Sequence, residues 1–245
     1  MNDSFMIRPA PASGRGRRRP QGRLAAVAEA AVRVFTRQGW RLAQVADVAA
    51  EAGVATGTIY LYAADKQALL DLAIRAAARL DLPGEAALPA GADMAATLRG
   101  ALGQRLALPR LAAVADGGPM GPETLARLLA EVYDLLARER RLVLLLDRLS
   151  PELPDMAETY GQAWRAPALG RFAAAIARLA AAGHARRDLD AEAASRAVIE
   201  MLAWMAMRRT HDPLPPAGDE AVARATALAL AEAALAPVAA AGKRL

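Results

Sequence analysis

Thr56, Gly57, Thr58 and Tyr60 place two small hydroxyls, a glycine and a phenol within five positions. Near the start of a helix, such residues let the backbone come close to phosphates and base edges, and the helix's unpaired N–H groups favour an anion there. Polyanion contact is the chemistry they could do, and few other residues compete with it. The chain has no cysteine, which removes disulfides, thiolate metal sites and cysteine nucleophiles. His184 and His211 are the only histidines and lie far apart, so neither a paired metal site nor a catalytic triad is expected. No glycine-rich phosphate loop is present. The chain therefore reads as a non-enzyme, without cofactor or metal. Its net charge is +5, and residues 1–66 hold ten basic against five acidic residues, while the remainder balances. The positive excess lies where a polyanion would bind, unless it is only a solvated basic tail.

Short helices must position these residues. Residues 1–20, with Pro9, Pro11, Gly14, Gly16 and Pro20, read as a disordered basic arm. Leu24, Val27, Ala28, Ala31, Val34 and Phe35 recur at three- and four-residue intervals, predicting a helix that stops at Gly39. Val45, Val48 and Ala49 mark a second helix that Gly53 ends, because the turn needs a residue that reaches positive φ cheaply. A third runs from about Ala55 to Tyr62. Two short helices joined by a glycine-containing turn have the dimensions of a helix-turn-helix, although ordinary bundles contain similar pairs.

Gly39-Trp40, Val45-Ala46-Asp47-Val48-Ala49, Gly53 through Tyr62, and Asp65-Lys66-Gln67-Ala68-Leu69-Leu70 together resemble the amino-terminal signature of the TetR family, almost without a gap over residues 23–70. The resemblance implies an all-α protein, with residues 21–66 forming a three-helix DNA-binding domain and residues 67–245 a helical ligand-binding and dimerisation bundle. It implies DNA contacts by Thr56, Gly57, Thr58 and Tyr60, with Lys66 in the phosphate-facing position. Lys66 and Lys243 are the only lysines in the chain. Tyr62 is either a further contact or a half-buried packing residue. Gln44 stands where the family offers a hydroxyl, so a side-chain cap is expected to be missing there, and Gln44 either bonds a phosphate or faces solvent. Ala63 replaces a common aromatic. Arg23, with Arg15, Arg17, Arg18 and Arg19, is a candidate for backbone or minor-groove contact.

Beyond Lys66 the pattern is helical. Asp65, Asp190 and Asp219 read as helix caps, residues 123–148 as one long helix, and residues 154–165 as a helix separate from one beginning at Pro167. Apolar stripes on the last two helices offer a dimer interface through Val198, Met201, Leu202, Met205, Val222, Ala225, Leu228 and Ala229, or else ordinary core. Leu98, Leu102, Met120, Leu129, Tyr133, Met156, Tyr160, Trp164 and Phe172 are candidate walls of an effector cavity, or again core. Few charges accompany them, which favours an apolar effector. No stretch of about 18 residues is both apolar and uncharged, so no membrane partner and a cytoplasmic location are expected. The partners implied are double-stranded operator DNA, a second copy of the chain and an unidentified small molecule. The alternative is an activator, or an interaction module of the same fold, without effector-released repression.

Overall fold

The computed structural model describes residues 22–214 and 218–237, and its regular elements are all helical, with one isolated backbone bridge between Ala63 and Ala90. The basic arm expected over residues 1–20, including Arg15, Arg17, Arg18 and Arg19, lies outside the described residues.

Helix α1 (Arg23–Leu42) buries Val27, Ala31, Val34 and Phe35 along one stripe. Its regular part ends where the periodicity predicts, because Gly39 takes φ +80° inside the element and redirects the chain. A side chain there would be strained by that backbone, and its Cβ would collide with Arg148 and Glu152. Trp40 then folds back and stacks on Phe35 with 5.9 Å between ring centroids.

Helix α2 (Val45–Glu51) has no hydroxyl cap, yet its first turn is not bare: Asp47 accepts the backbone N–H of Gln44 at 2.8 Å, one half of a capping box. Gly53 closes the turn at φ +66°. Helix α3 (Thr56–Ile59) is a single turn rather than the two expected. The chain beyond it tightens through Leu61 N–H to Thr58 and Tyr62 N–H to Ile59, and Ala90 then captures it. Ala90 donates to the Tyr62 carbonyl at 2.8 Å and accepts from Ala64 at 3.0 Å.

Helix α4 (Lys66–Ala77), capped by Asp65 on the Ala68 N–H at 2.8 Å, lies against α1 and against α5 (Met94–Arg105). It leaves through Arg79, a non-glycine residue at φ 54°. Helix α6 (Pro109–Ala115) follows.

The long helix expected over residues 123–148 is two, α7 (Thr124–Arg138) and α8 (Arg140–Leu149), broken at Glu139. The cause is a buried carboxylate. Glu139 turns inward and receives Arg79 at 2.5 Å, Arg105 at 3.0 Å and Arg138 at 3.0 Å. Three guanidinium groups around one carboxylate offset its desolvation and draw the ends of α4, α5 and α7 to one point.

The break expected before Pro167 is absent. Helix α9 (Pro154–Met156) runs through a π-helical stretch, Ala157–Arg165, directly into α10 (Ala166–Ala181). Proline cannot complete an α-helical ladder and crowds the carbonyl four residues earlier; the wider turns just before it let the helix continue. Asp190 caps α11 (Ala191–Ala203) and Asp219 caps α12 (Glu220–Leu235), as the sequence predicts.

Candidate nucleic-acid interface and bundle cavity

Thr56, Gly57 and Tyr60 project into solvent and Thr58 is partly exposed, while Ile59 between them is buried and anchors the turn in the core of the amino-terminal head, formed by α1 to α3 and the start of α4. Tyr60 is half exposed. A Cβ at Gly57 would meet nothing within 4 Å, so the space in front of α3 is open. A macrodipole needs length, and α3 has four residues, so any DNA contact here rests on side chains and close backbone approach more than on the helix end.

Gln44 and Arg23 are exposed, the first at the start of α2 and the second at the start of α1. Leu42, beside Gln44, is 72% exposed, and Leu61, following Tyr60, is 44% exposed. Sequence reasoning missed both. Their only signal was an apolar residue flanking each candidate contact.

Two assignments change. Tyr62 is buried, with 2% of its surface exposed, and its carbonyl accepts the Ala90 N–H, so it takes the packing alternative. Lys66 is half-buried and directs its ammonium inward, donating to the Trp40 carbonyl at 2.5 Å and standing 4.4 Å from the Trp40 ring centroid. Burial lowers its pKa, opposed by the charges of Glu152 and Asp47. In this arrangement Lys66 fastens α4 to the Gly39-Trp40 turn.

The head is also latched to the bundle. Glu152 accepts the Arg41 backbone N–H at 2.7 Å, Arg148 donates to the Gln38 carbonyl at 2.7 Å, and Arg148 and Glu152 pair with each other. The Arg41 backbone and the Arg148 guanidinium hold the Glu152 carboxyl below the usual carboxylate range. On the outer face of α1, Glu51 binds Arg33 at 2.6 Å and Arg37 at 3.3 Å, which offsets part of the head's positive charge.

Residues 27–73, from α1 into α4, match the family of bacterial regulatory proteins described as the tetR family. That segment is similar to the tetR family's amino-terminal domain. No curated protein matches the chain significantly. Among solved structures, the ketosteroid transcriptional regulator KstR2 of Mycobacterium tuberculosis is similar over 89% of this chain and 97% of its own, at 19% identity and a TM-score of 0.55. The regulatory protein RHA5900 is similar over 87% of this chain and 98% of its own, at 18% identity and a TM-score of 0.57. At these identities the likeness speaks to the fold alone, and it runs through the bundle as well as the amino-terminal helices.

The bundle holds a small cavity of about 70 Å3 whose walls include Val132, Leu136, Tyr160, Trp164, Phe172 and Met207. Tyr160, Trp164 and Phe172 thus border one space. Leu102 lines an adjoining open groove of about 630 Å3. The other five candidates line neither space. Leu98, Leu129, Tyr133 and Met156 are buried in continuous core, and Met120 is half-buried in the loop before α7. Charged residues that composition alone did not place rim the cavity. Asp147 accepts the Tyr160 hydroxyl at 2.8 Å, and burial first, then the Asp147 charge, pushes that phenol's pKa up. Arg165 and Arg208 bind both Asp147 and Glu200.

The candidate dimer residues divide. Val198 and Leu202 are buried within the chain, because their face of α11 packs against α7, α10 and α12; they are core, not free interface. Met201, Met205 and Leu228 are half-buried. Val222, Ala225 and Ala229 lie on the face of α12 opposite its buried Ala223, Ala227 and Ala231, and are exposed. Trp204, not singled out from the sequence, is 45% exposed at the end of α11. Among the described residues no cluster of acidic or histidine side chains could hold a metal, and no helix is long and apolar enough to cross a membrane.

Gly57→Ala separates folding from recognition. With open space at the Cβ and ordinary backbone geometry, the variant should melt at or slightly above the parent's temperature, since alanine favours a helix over glycine by about 1 kcal/mol. If α3 meets DNA here, the added methyl would stand between backbone and DNA, so affinity measured by fluorescence anisotropy should fall. Unchanged affinity would show that α3 does not approach DNA at this position.

Proposed function

We propose that the chain is a transcriptional repressor that binds palindromic operator DNA as a homodimer and is released by a small, largely apolar effector held in the bundle. The observation that carries this is the exposed surface of Thr56, Gly57, Thr58 and Tyr60, presented by a turn whose buried side, Ile59 and Tyr62, is fixed in the head's core. One head reads few bases. Two heads about 34–36 Å apart read half-sites one DNA turn apart.

The exposed face of α12, with Trp204 nearby, supports a two-fold interface that sets this spacing. Effector binding is read as moving α4 relative to the bundle and taking the two heads out of register. A preference of about 1–3 kcal/mol for the released state changes affinity by about 5–150-fold.

Gel-shift titration against DNA flanking the chain's own gene, repeated over a salt series, tests the reading. Specific binding with a steep negative salt slope is expected. Absence of binding to any of that DNA at low salt would leave an interaction module instead. Val222→Glu combined with Ala229→Glu places two charges on the exposed face of α12 without touching the core, and light scattering should then find monomers that no longer bind operator at the parent's affinity. A dimer that survives both charges would place the interface elsewhere.

A further inference from the structure

The cavity and the open groove are neighbours: Leu108, Leu111, Trp164 and Ala168 line both, so Trp164 stands where a smaller, apolar space meets a wider and more polar one. Its ring stacks on Tyr160 with 5.6 Å between centroids, and its indole N–H donates to the Leu106 carbonyl at 3.2 Å. The two spaces differ in charge. Around the inner cavity every charged group is paired, Arg165 and Arg208 with Asp147 and Glu200. In the outer groove, Arg99 of α5 and Arg171 of α10 are both exposed, and neither guanidinium has a partner among the described residues. Glu158 also lines the groove and is likewise unpaired, leaving the groove with one net positive charge.

We propose that the effector is an amphipathic carboxylate, with its hydrocarbon end in the cavity behind Trp164 and its anionic head in the groove at Arg99 and Arg171. This rests on the effector reading above and adds the ligand's chemical class. A planar guanidinium fork matches a carboxylate, and two unpaired forks beside an apolar opening select a molecule with one charged end. The cavity is small, and Trp164 lies where it adjoins the groove, so a tail that enters past Trp164 displaces the indole from Tyr160 and from Leu106. Leu106 adjoins Arg105, which shares Glu139 with Arg79 at the end of α4, so the displaced residue borders the link to the DNA-binding head.

Calorimetric titration of the full-length protein with octanoate, 1-octanol and octyltrimethylammonium at equal ionic strength tests the proposal. Octanoate should bind at least about tenfold more tightly than octanol, a difference of about 1.4 kcal/mol, and the cation more weakly than either. In Arg99→Gln combined with Arg171→Gln, two exposed substitutions, octanoate should lose that advantage while octanol binds as before. Equal binding of all three probes, or an advantage that survives in the double variant, would overturn the carboxylate proposal and leave an apolar effector cavity standing. If none of the probes binds or changes operator retention, the effector reading falls as well. Operator binding without ligand, measured on the same preparation, reports separately on the DNA-binding reading.

Discussion

Tyr60→Ala should melt with the parent chain and bind operator far more weakly. The ring is half exposed, so its removal leaves no core cavity, and surface substitutions of this kind stay within about 0.5 kcal/mol. Ile59 and Tyr62, which hold the turn from beneath, are untouched. On DNA the loss is larger, because a lost contact costs about 1–3 kcal/mol and the proposed two-fold dimer loses it twice. At about 2 kcal/mol per head, affinity falls nearly a thousandfold, with about 1.4 kcal/mol for each factor of ten. Anisotropy titrations at fixed salt measure the affinity and calorimetry the melting temperature. Parent-like affinity would remove Tyr60 from the interface, and a large loss of stability would make it a packing residue. Tyr60→Phe divides the contact further: if the hydroxyl bonds a phosphate, phenylalanine loses most of what alanine loses.

Glu139→Gln should give the largest loss of stability. The Glu139 side chain is wholly buried, while the three arginines it gathers keep between 28% and 55% of their side-chain surface exposed. The amide has the same shape but turns an NH2 towards guanidinium groups and removes the charge that justified their approach. Breaking a fully buried pair costs about 3–5 kcal/mol, but these arginines can partly rehydrate, so about 2–3 kcal/mol is expected. For a chain of this size that lowers the melting temperature by about 4–12 °C. Arg79 sits in a left-handed backbone conformation that costs a non-glycine residue about 1–3 kcal/mol, and its bond to Glu139 helps to offset that strain. Without the bond the end of α4 should relax, so hydrogen exchange should rise first around residues 76–81. An unchanged melting temperature would show that water serves these arginines as well as the carboxylate does.

Much of the head is legible in the sequence. Gly39 and Gly53 end helices where they were expected, at positive φ, and Asp65, Asp190 and Asp219 cap the helices that follow them. These signals involve residues within four positions of each other, so periodicity and side-chain chemistry suffice to read them. The errors came from partners distant in sequence. Tyr62 turned inward because Ala90 bonds its backbone. The helix expected over residues 123–148 broke because Arg79 and Arg105 meet Glu139. Lys66 was placed correctly at the start of α4, but its ammonium reaches Trp40, twenty-six positions earlier.

By itself, the amino-acid sequence determined that a short glycine-punctuated helical unit would present Thr56, Gly57, Thr58 and Tyr60, since backbone preference and local capping decide such a unit. Only the tertiary structure decided which apolar stripes became core: Val198 and Leu202 face inward while Val222 and Ala229 remain open, although all four share the same helical periodicity. It likewise decided that Trp164 and Phe172, but not Leu98 or Leu129, border a space. Hydrophobic burial has no direction along a helix until a neighbour arrives. The neighbour, not the residue, chooses between core, cavity wall and free surface.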